Sequence, residues 1–336
     1  MFEGVAQQHP LNPQDKFVFE LGWRAYFRHV WQHRGDGIFT ALHSGPLPEH
    51  HYSDRVPDDI RQARSGVNAI DMAICGLYDS GHLHNHARMW LASYMVHVRK
   101  IHWRAGADWL YGHLRDGDLA SNHLSWQWVA GTGSTKPYLF NADNVARYAP
   151  GPWHSPGSVI DTSYERLAQI SLDPNHRATT TSPAAPHRPA TTEPKLWSAP
   201  PSPWKHEAPD AAALAHRQVY LVHPWSLGPL PSDLPANSLV IGISVSDFHQ
   251  AWPWSQLRWD FVEQRMADVV ALRWHGSAQG RVFPPLRKRA AQTIDRRKQW
   301  GRRGARHPRW QVPLHVRVGH TPHTLGMGQR ALQGLG

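Results

Sequence analysis

The chain has 336 residues, enough for two domains and a sizeable core. It contains 17 Trp, 25 His and 28 Pro, and its single cysteine, Cys75, excludes an intrachain disulfide framework and a cysteine-rich metal or iron–sulfur site. The formal charge is +10, but residues 281–336 hold 13 Lys/Arg against one Asp, so residues 1–280 stand at −2 and the basic balance says nothing about what the body binds.

The first residues lack a cationic leader followed by an apolar run, and no long apolar stretch follows; a soluble, cytoplasmic protein without a membrane span is expected. Asn12 is a good N-cap, Pro13 suits the first helical position and Asp15 complements the helix dipole. Apolar residues at helical spacing over 17–31 predict a long first helix. Within it, Glu20-Leu-Gly-Trp23-Arg24-Ala-Tyr-Phe-Arg28 reads by itself as an amphipathic helix with a solvated basic edge. Residues 35–59 read as loops, 67–78 as a second helix, Gly81 as a break and 85–103 as a third helix. His82, His84 and His86 sit where a helix begins, which does not converge such side chains, so no metal site is expected. Arg88, inside an apolar helix, needs a carboxylate partner, and Asp116 or Asp118 can provide it. The helical pattern continues through residues 103–114.

The most informative stretch is Asp116-Gly-Asp-Leu-Ala-Ser-Asn-His-Leu-Ser-Trp-Gln-Trp-Val-Ala-Gly-Thr-Gly133. With 119–129 helical, Asp118, Asn122 and Trp126 fall four residues apart on one face, while Trp128 lies roughly 200° round and serves another contact. A carboxylate, a carboxamide and an indole on one face are the inventory of a redox-cofactor site. The plainer alternative is an amphipathic helix with buried tryptophans and polar caps.

Residues 171–210, with nine prolines, predict a linker without enough apolar surface to order itself. Residues 217–275 read as a small α/β segment: strands at 219–223 and 239–245 and a helix at 254–270, half of a doubly wound sheet that docks on the helical body. The region 279–336 has no hydrophobic period; it is a basic arm for nucleic acid or, the favoured reading, a disordered or frame-shifted tail.

Glu20-Leu-Gly-Trp-Arg24, Leu83-His-Asn-His-Ala-Arg-Met89, Trp103-Arg-Ala-Gly106 and the run 116–133 resemble the flavin-binding helical domain of the DNA photolyase/cryptochrome family. The resemblance covers roughly residues 10–150, within an expected domain 1–165, and implies a mainly α, photolyase-like FAD-binding fold. It implies FAD as cofactor, contacted by Asn85, Arg88, Asp116, Asp118 and Asn122, with Asn122 at the flavin N5 and Arg88 paired to Asp116. Trp126 and Trp103 are implied as the first members of an electron-hopping chain, and Glu20 as a hydrogen-bond partner of the reduced base; with Asn122 these are the implied catalytic residues. Glu20, Trp23, Met89 and Trp128 match the pocket for a pyrimidine dimer, and Arg24 a DNA-backbone contact. The implied activity is a light-driven carbon–carbon lyase acting on DNA containing cyclobutane dimers, as a monomer.

Family members ordinarily begin with an antenna-bearing α/β domain and a loop that clamps the flavin diphosphate, and neither precedes Gln8. His86 stands where an Arg often meets DNA, and His50, His51 and Tyr52 where the outermost Trp is expected, with Tyr52 as a substitute terminal donor. The alternatives are a cryptochrome-like light or redox sensor without lyase chemistry, and a fragment that no longer holds FAD tightly. The lesion-pocket residues favour the enzyme; the missing clamp favours the fragment.

Overall fold

The computed structural model describes residues 5–9, 11, 12, 14–176, 190–201, 218–225, 227–270 and 272–276. Pro13 and the basic region 279–336, with the expectations attached to them, lie outside the described residues.

Helix α1 (Lys16–Arg34) begins later than Asn12 suggests. The Asn12 carboxamide accepts from the Gln14 amide at 2.9 Å and the Asp15 carboxylate accepts from the Asn12 amide at 2.7 Å, so both side chains are engaged in a turn ahead of the helix. Asp15 takes the cap position without a side-chain cap bond. None of the 19 residues of α1 is buried; Phe27, Val30 and Trp31 lay it against Ile38, Ala120 and Leu124.

Among the described residues the body continues with α2 (Asp58–Arg61), α3 (Asn68–Ser80), α4 (Asn85–Ser93), α5 (Trp103–His113), α6 (Leu119–Ala130), α7 (Ala142–Tyr148) and α8 (Tyr164–Leu172). The apolar faces of α3 to α6 enclose one core containing Ile70, Ile74, Leu77, Trp90, Met95, Trp103, Leu110 and Trp126. Gly81 ends α3 and Gly131 ends α6, both in the left-handed conformation, at φ 68° and 76°.

The single helix expected over 85–103 is in fact two. Helix α4 widens into a π turn at Tyr94–Val98, the chain bends through Lys100 at φ 53°, and α5 starts afresh. The cause is tertiary: the buried Lys100 ammonium donates to the carbonyls of His97, Ile170 and Ser171 at 2.7, 2.6 and 3.1 Å, tying the π turn to the end of α8. In the same turn His97 is fully buried, its Nε2 donating to the Val129 carbonyl at 2.9 Å. Burial pushes its pKa down to about 4.

Among the described residues five strands follow: β1 (Leu196–Trp197), β2 (Val219–Val222), β3 (Leu239–Val245), β4 (Trp254–Ser255) and β5 (Leu272–Gly276). Strands β2, β3 and β5 form a parallel sheet in the order β2-β3-β5, with α9 (Ser246–Ala251) and α10 (Gln256–Ala267) between β3 and β5. The helix expected over 254–270 therefore opens with two strand residues, and β5 was not anticipated.

The expected linker is anchored at Thr191, at Glu193 and through β1. One Glu193 carboxylate oxygen accepts from Trp109 Nε1 at 2.8 Å and His113 Nε2 at 3.0 Å, and the other from Arg61 Nη1 at 2.8 Å. Thr191 donates to the Gln62 carbonyl at 3.0 Å, and β1 then pairs antiparallel with β4. A Cβ at Gly112 would lie 2.8 Å from the Leu196 side chain and 3.0 Å from the Pro253 carbonyl, so α5 meets the strap through a glycine because nothing larger fits. The α/β unit docks on the helical body through Tyr111, Phe39 and His123, which meet the Trp252 ring at 5.1–5.6 Å.

Candidate functional site

Helices α1, α4, α5 and α6 and the turn 114–118 surround a cleft of about 240 Å³. Its lining includes Glu20, Trp23 and Arg24 from α1, Asn85, Arg88 and Met89 from α4, Asp116 and Asp118 from the turn, and Asn122 and Trp126 from α6. The four-residue spacing that put Asp118, Asn122 and Trp126 on one face does bring all three to this cleft.

Asp118 is the N-cap of α6: one carboxylate oxygen accepts from the Ser121 amide at 3.0 Å and the Ser121 hydroxyl at 2.9 Å. The other accepts from Arg28 Nε and Nη2 at 3.0 and 2.8 Å and from Arg24 Nη2 at 3.4 Å. Burial alone would raise its pKa, but the Arg28 charge, the Ser121 amide and the Arg24 charge outweigh it and hold the carboxyl below its ordinary value. Asp118 thereby ties α1 to α6 and fixes the width of the cleft.

Arg88 pairs with Asp116, its Nη2 donating to both carboxylate oxygens at 3.0 and 2.9 Å, while its Nε donates to the Leu83 carbonyl at 2.9 Å. Asn122 Nδ2 donates to the Ala107 carbonyl at 2.8 Å. That bond sets the orientation of the carboxamide and leaves its oxygen as the acceptor offered to the cleft. Asn85 Nδ2 lies 3.7 Å from the Met89 sulfur. Trp126 is buried, and a Cβ at Gly106 would collide with its six-membered ring, so α5 approaches the indole through a bare backbone.

Two of the residues singled out from the sequence do not line the cleft. Trp128 is 45% exposed and packs on Tyr138 with ring centroids 5.8 Å apart. Trp103 is buried, with Nε1 unpartnered among the described residues, and contacts the His102 ring at 5.7 Å; His102 in turn meets Tyr52 at 6.3 Å. Sequence reasoning missed Phe27, Ser121 and Ser125 in the lining, although Ser121 and Ser125 sit three and seven residues after Asp118, spacings that return to the same helix face. It also missed Arg28, whose role depends on how α1 crosses α6. Among the described residues no group of three or more His, Cys, Asp or Glu converges as a metal site.

The cleft is small for a whole dinucleotide, since ligand pockets commonly run from about 300 to 1,000 Å³. Its chemistry fits a flat heteroaromatic ring: an oriented carboxamide oxygen for a ring N–H, a cation neutralised by one carboxylate, and aromatic walls.

Residues 17–151 match the family model described as the FAD binding domain of DNA photolyase. The matched segment is accordingly a photolyase-like FAD-binding helical domain. A deoxyribodipyrimidine photo-lyase of Streptomyces griseus is 37% identical over 127 residues, which cover 37% of this chain and 27% of that protein. A cryptochrome DASH of Gloeobacter violaceus is 33% identical over 119 residues, 35% of this chain and 24% of that protein. A solved Synechocystis cryptochrome is 22% identical, with a TM-score of 0.41 over 51% of this chain and 40% of that one. The chain thus spans about a quarter of the length of these two curated relatives. No helix among the described residues is long and apolar enough to cross a membrane.

Proposed function

We propose that the cleft holds the flavin ring and that the chain splits cyclobutane pyrimidine dimers in DNA by light-driven electron transfer, as a carbon–carbon lyase. The observation that carries this reading is the convergence, in one cleft, of two sets of side chains: Asn122, Arg88, Asp116 and Asn85, and with them Glu20, Trp23 and Met89. The first set suits a flavin and the second a planar base pair-sized guest, so donor and acceptor would share one cleft.

The flavin, when bound, supplies light absorption and the transferable electron. The chain's own work is binding, orientation and exclusion of water. Asn122 presents a fixed carboxamide oxygen, and the Arg88–Asp116 pair presents a neutralised cation whose remaining N–H groups are directed by Leu83. Trp126 closes the floor, and the tie between Asp118, Arg28 and Arg24 keeps α1, with its Trp23 indole, over the cleft. Trp23 is 42% exposed, a large aromatic surface left available for a stacked base. Glu20, three residues before it on α1, supplies a carboxyl for hydrogen bonding to that base. Arg24 and the exposed Trp128 are the proposed further DNA contacts; the buried Trp103 and the Tyr52 beyond His102 are the proposed route for electrons from the surface.

Titration with FAD, followed by quenching of flavin fluorescence, tests the cofactor. Saturable binding that Asn122→Ala weakens is expected; no binding at excess FAD would leave the chain a fragment with the family's residues only. Trp23→Ala should weaken binding of dimer-containing oligonucleotide by about five- to fiftyfold, the loss of one base–aromatic stack, with FAD affinity unchanged.

A further inference from the structure

Arg258 belongs to α10 of the α/β unit, more than 100 residues beyond the segment shared with the photolyase FAD-binding domain. It is 3% exposed, and no ion pair forms with it among the described residues. Its Nη1 donates to the Tyr111 carbonyl at 2.8 Å, and its Nη2 to the Gly117 carbonyl at 2.7 Å and the Tyr111 hydroxyl at 3.3 Å. The guanidinium lies between two rings, 4.4 Å from the Tyr111 centroid and 3.9 Å from that of Trp254. A buried cation without a direct counter-ion is costly, and this one is compensated by two carbonyls, two π faces and the nearby charges of Asp116 and Asp118.

Gly117 shows how close the approach is. A Cβ there would lie 2.6 Å from Arg258 Nη1 and 3.2 Å from its Cζ. The glycine between the two aspartates is therefore required by the α/β unit behind the turn as well as by the turn itself. On the cleft side, the same turn presents Asp116 to Arg88 and Asp118 to Arg28, Arg24 and the first turn of α6.

We propose that Arg258 is a positioning residue for the cleft: the α/β unit reaches through the helical body and holds the Asp116-Gly117-Asp118 turn from behind, so that both carboxylates face the cleft correctly. The unit is then a working part of the site, in addition to any role of its own. The link to cofactor affinity rests on the flavin reading above; the link to the turn does not.

The test uses the full chain with Arg258→Met, Arg258→Lys and, on the same helix, the packing control Val262→Ala. Val262 is buried in the α/β unit and touches neither the turn nor the cleft lining. Two quantities are measured: amide hydrogen exchange over residues 116–122 without flavin, and FAD affinity. Arg258→Met should speed exchange in the turn at least about tenfold and weaken FAD about tenfold, which corresponds to about 1.4 kcal/mol. Arg258→Lys, which keeps the charge but cannot span both carbonyls with a fork, should recover part of each. Val262→Ala should leave both unchanged. If Arg258→Met does not fold, Gly117→Ala displaces the guanidinium from the other side and should give the same pattern. Unchanged exchange in the turn, or an equal effect from Val262→Ala, overturns the proposal. Should the parent chain bind no FAD, the flavin reading fails while the exchange measurement still decides the role of Arg258.

Discussion

Glu193→Ala is expected to lower the unfolding free energy by about 3 kcal/mol, since each of the two buried donors it leaves unpaired costs about 1–3 kcal/mol. The side chain is 21% exposed and serves three donors at once: Arg61, Trp109 and His113. His113 is fully buried and Trp109 nearly so, hence alanine strands two donors that water does not reach, while the partly exposed Arg61 is left to solvent. Chemical denaturation measures the loss. Glu193→Gln, which retains an acceptor oxygen but loses the charge, should recover only part of it. An alanine variant as stable as the parent would show that the strap does not secure the fold.

A second large effect is expected in acid, in two stages. His97 and His249 are buried neutral, with pKa values pushed down to about 4 and about 3, chiefly by burial. An unfolded chain protonates both near the ordinary imidazole value of about 6.5. Between that pH and about 4 the unfolded state therefore binds more protons than the folded one, and stability falls as pH is lowered. Two to three pKa units at about 1.4 kcal/mol each give a loss on the order of 3 kcal/mol for His97 alone. Glu193 and Asp118 act later. Both carboxyls are held below their ordinary values despite burial, Glu193 by His113 and Arg61, Asp118 by Arg28, Ser121 and Arg24. Their contribution is present above the unfolded carboxyl value and is lost as pH falls through the folded one. Denaturation midpoints from pH 8 to 3 should drop first near pH 6, and His97→Gln should remove part of that first stage while leaving the second. A flat profile above pH 5 would contradict the assignment to the histidines.

The site was legible in the sequence where its parts are local. Asp118, Asn122 and Trp126 share a face because four residues make about one helical turn, and no tertiary knowledge is needed to see it. That Arg88 needs a carboxylate could be read from its apolar surroundings; that Asp116 is the partner, with Asp118 taken by Arg28, depends on how α1 lies across α6. The break after α4 was illegible for a similar reason. The apolar period runs on through residues 94–102, and what stops the helix is a lysine reaching carbonyls 70 and 71 residues away. Composition misled at 190–201, where one carboxylate outweighs the surrounding prolines. Nothing near Gly117 announces that an arginine 141 residues later will lean on it.

The strap formed by β1 also bears on how the chain could be divided. It is fastened at its front to the helical body through Glu193 and at its rear to the α/β unit through β4, although it follows the interval 177–189 in sequence. A polypeptide cut within that interval would keep the strap on its C-terminal piece, with Glu193 still inserted among Arg61, Trp109 and His113 of the other. Two separately produced halves, one ending near residue 176 and one beginning near 190, are thus expected to recognise each other and reassemble.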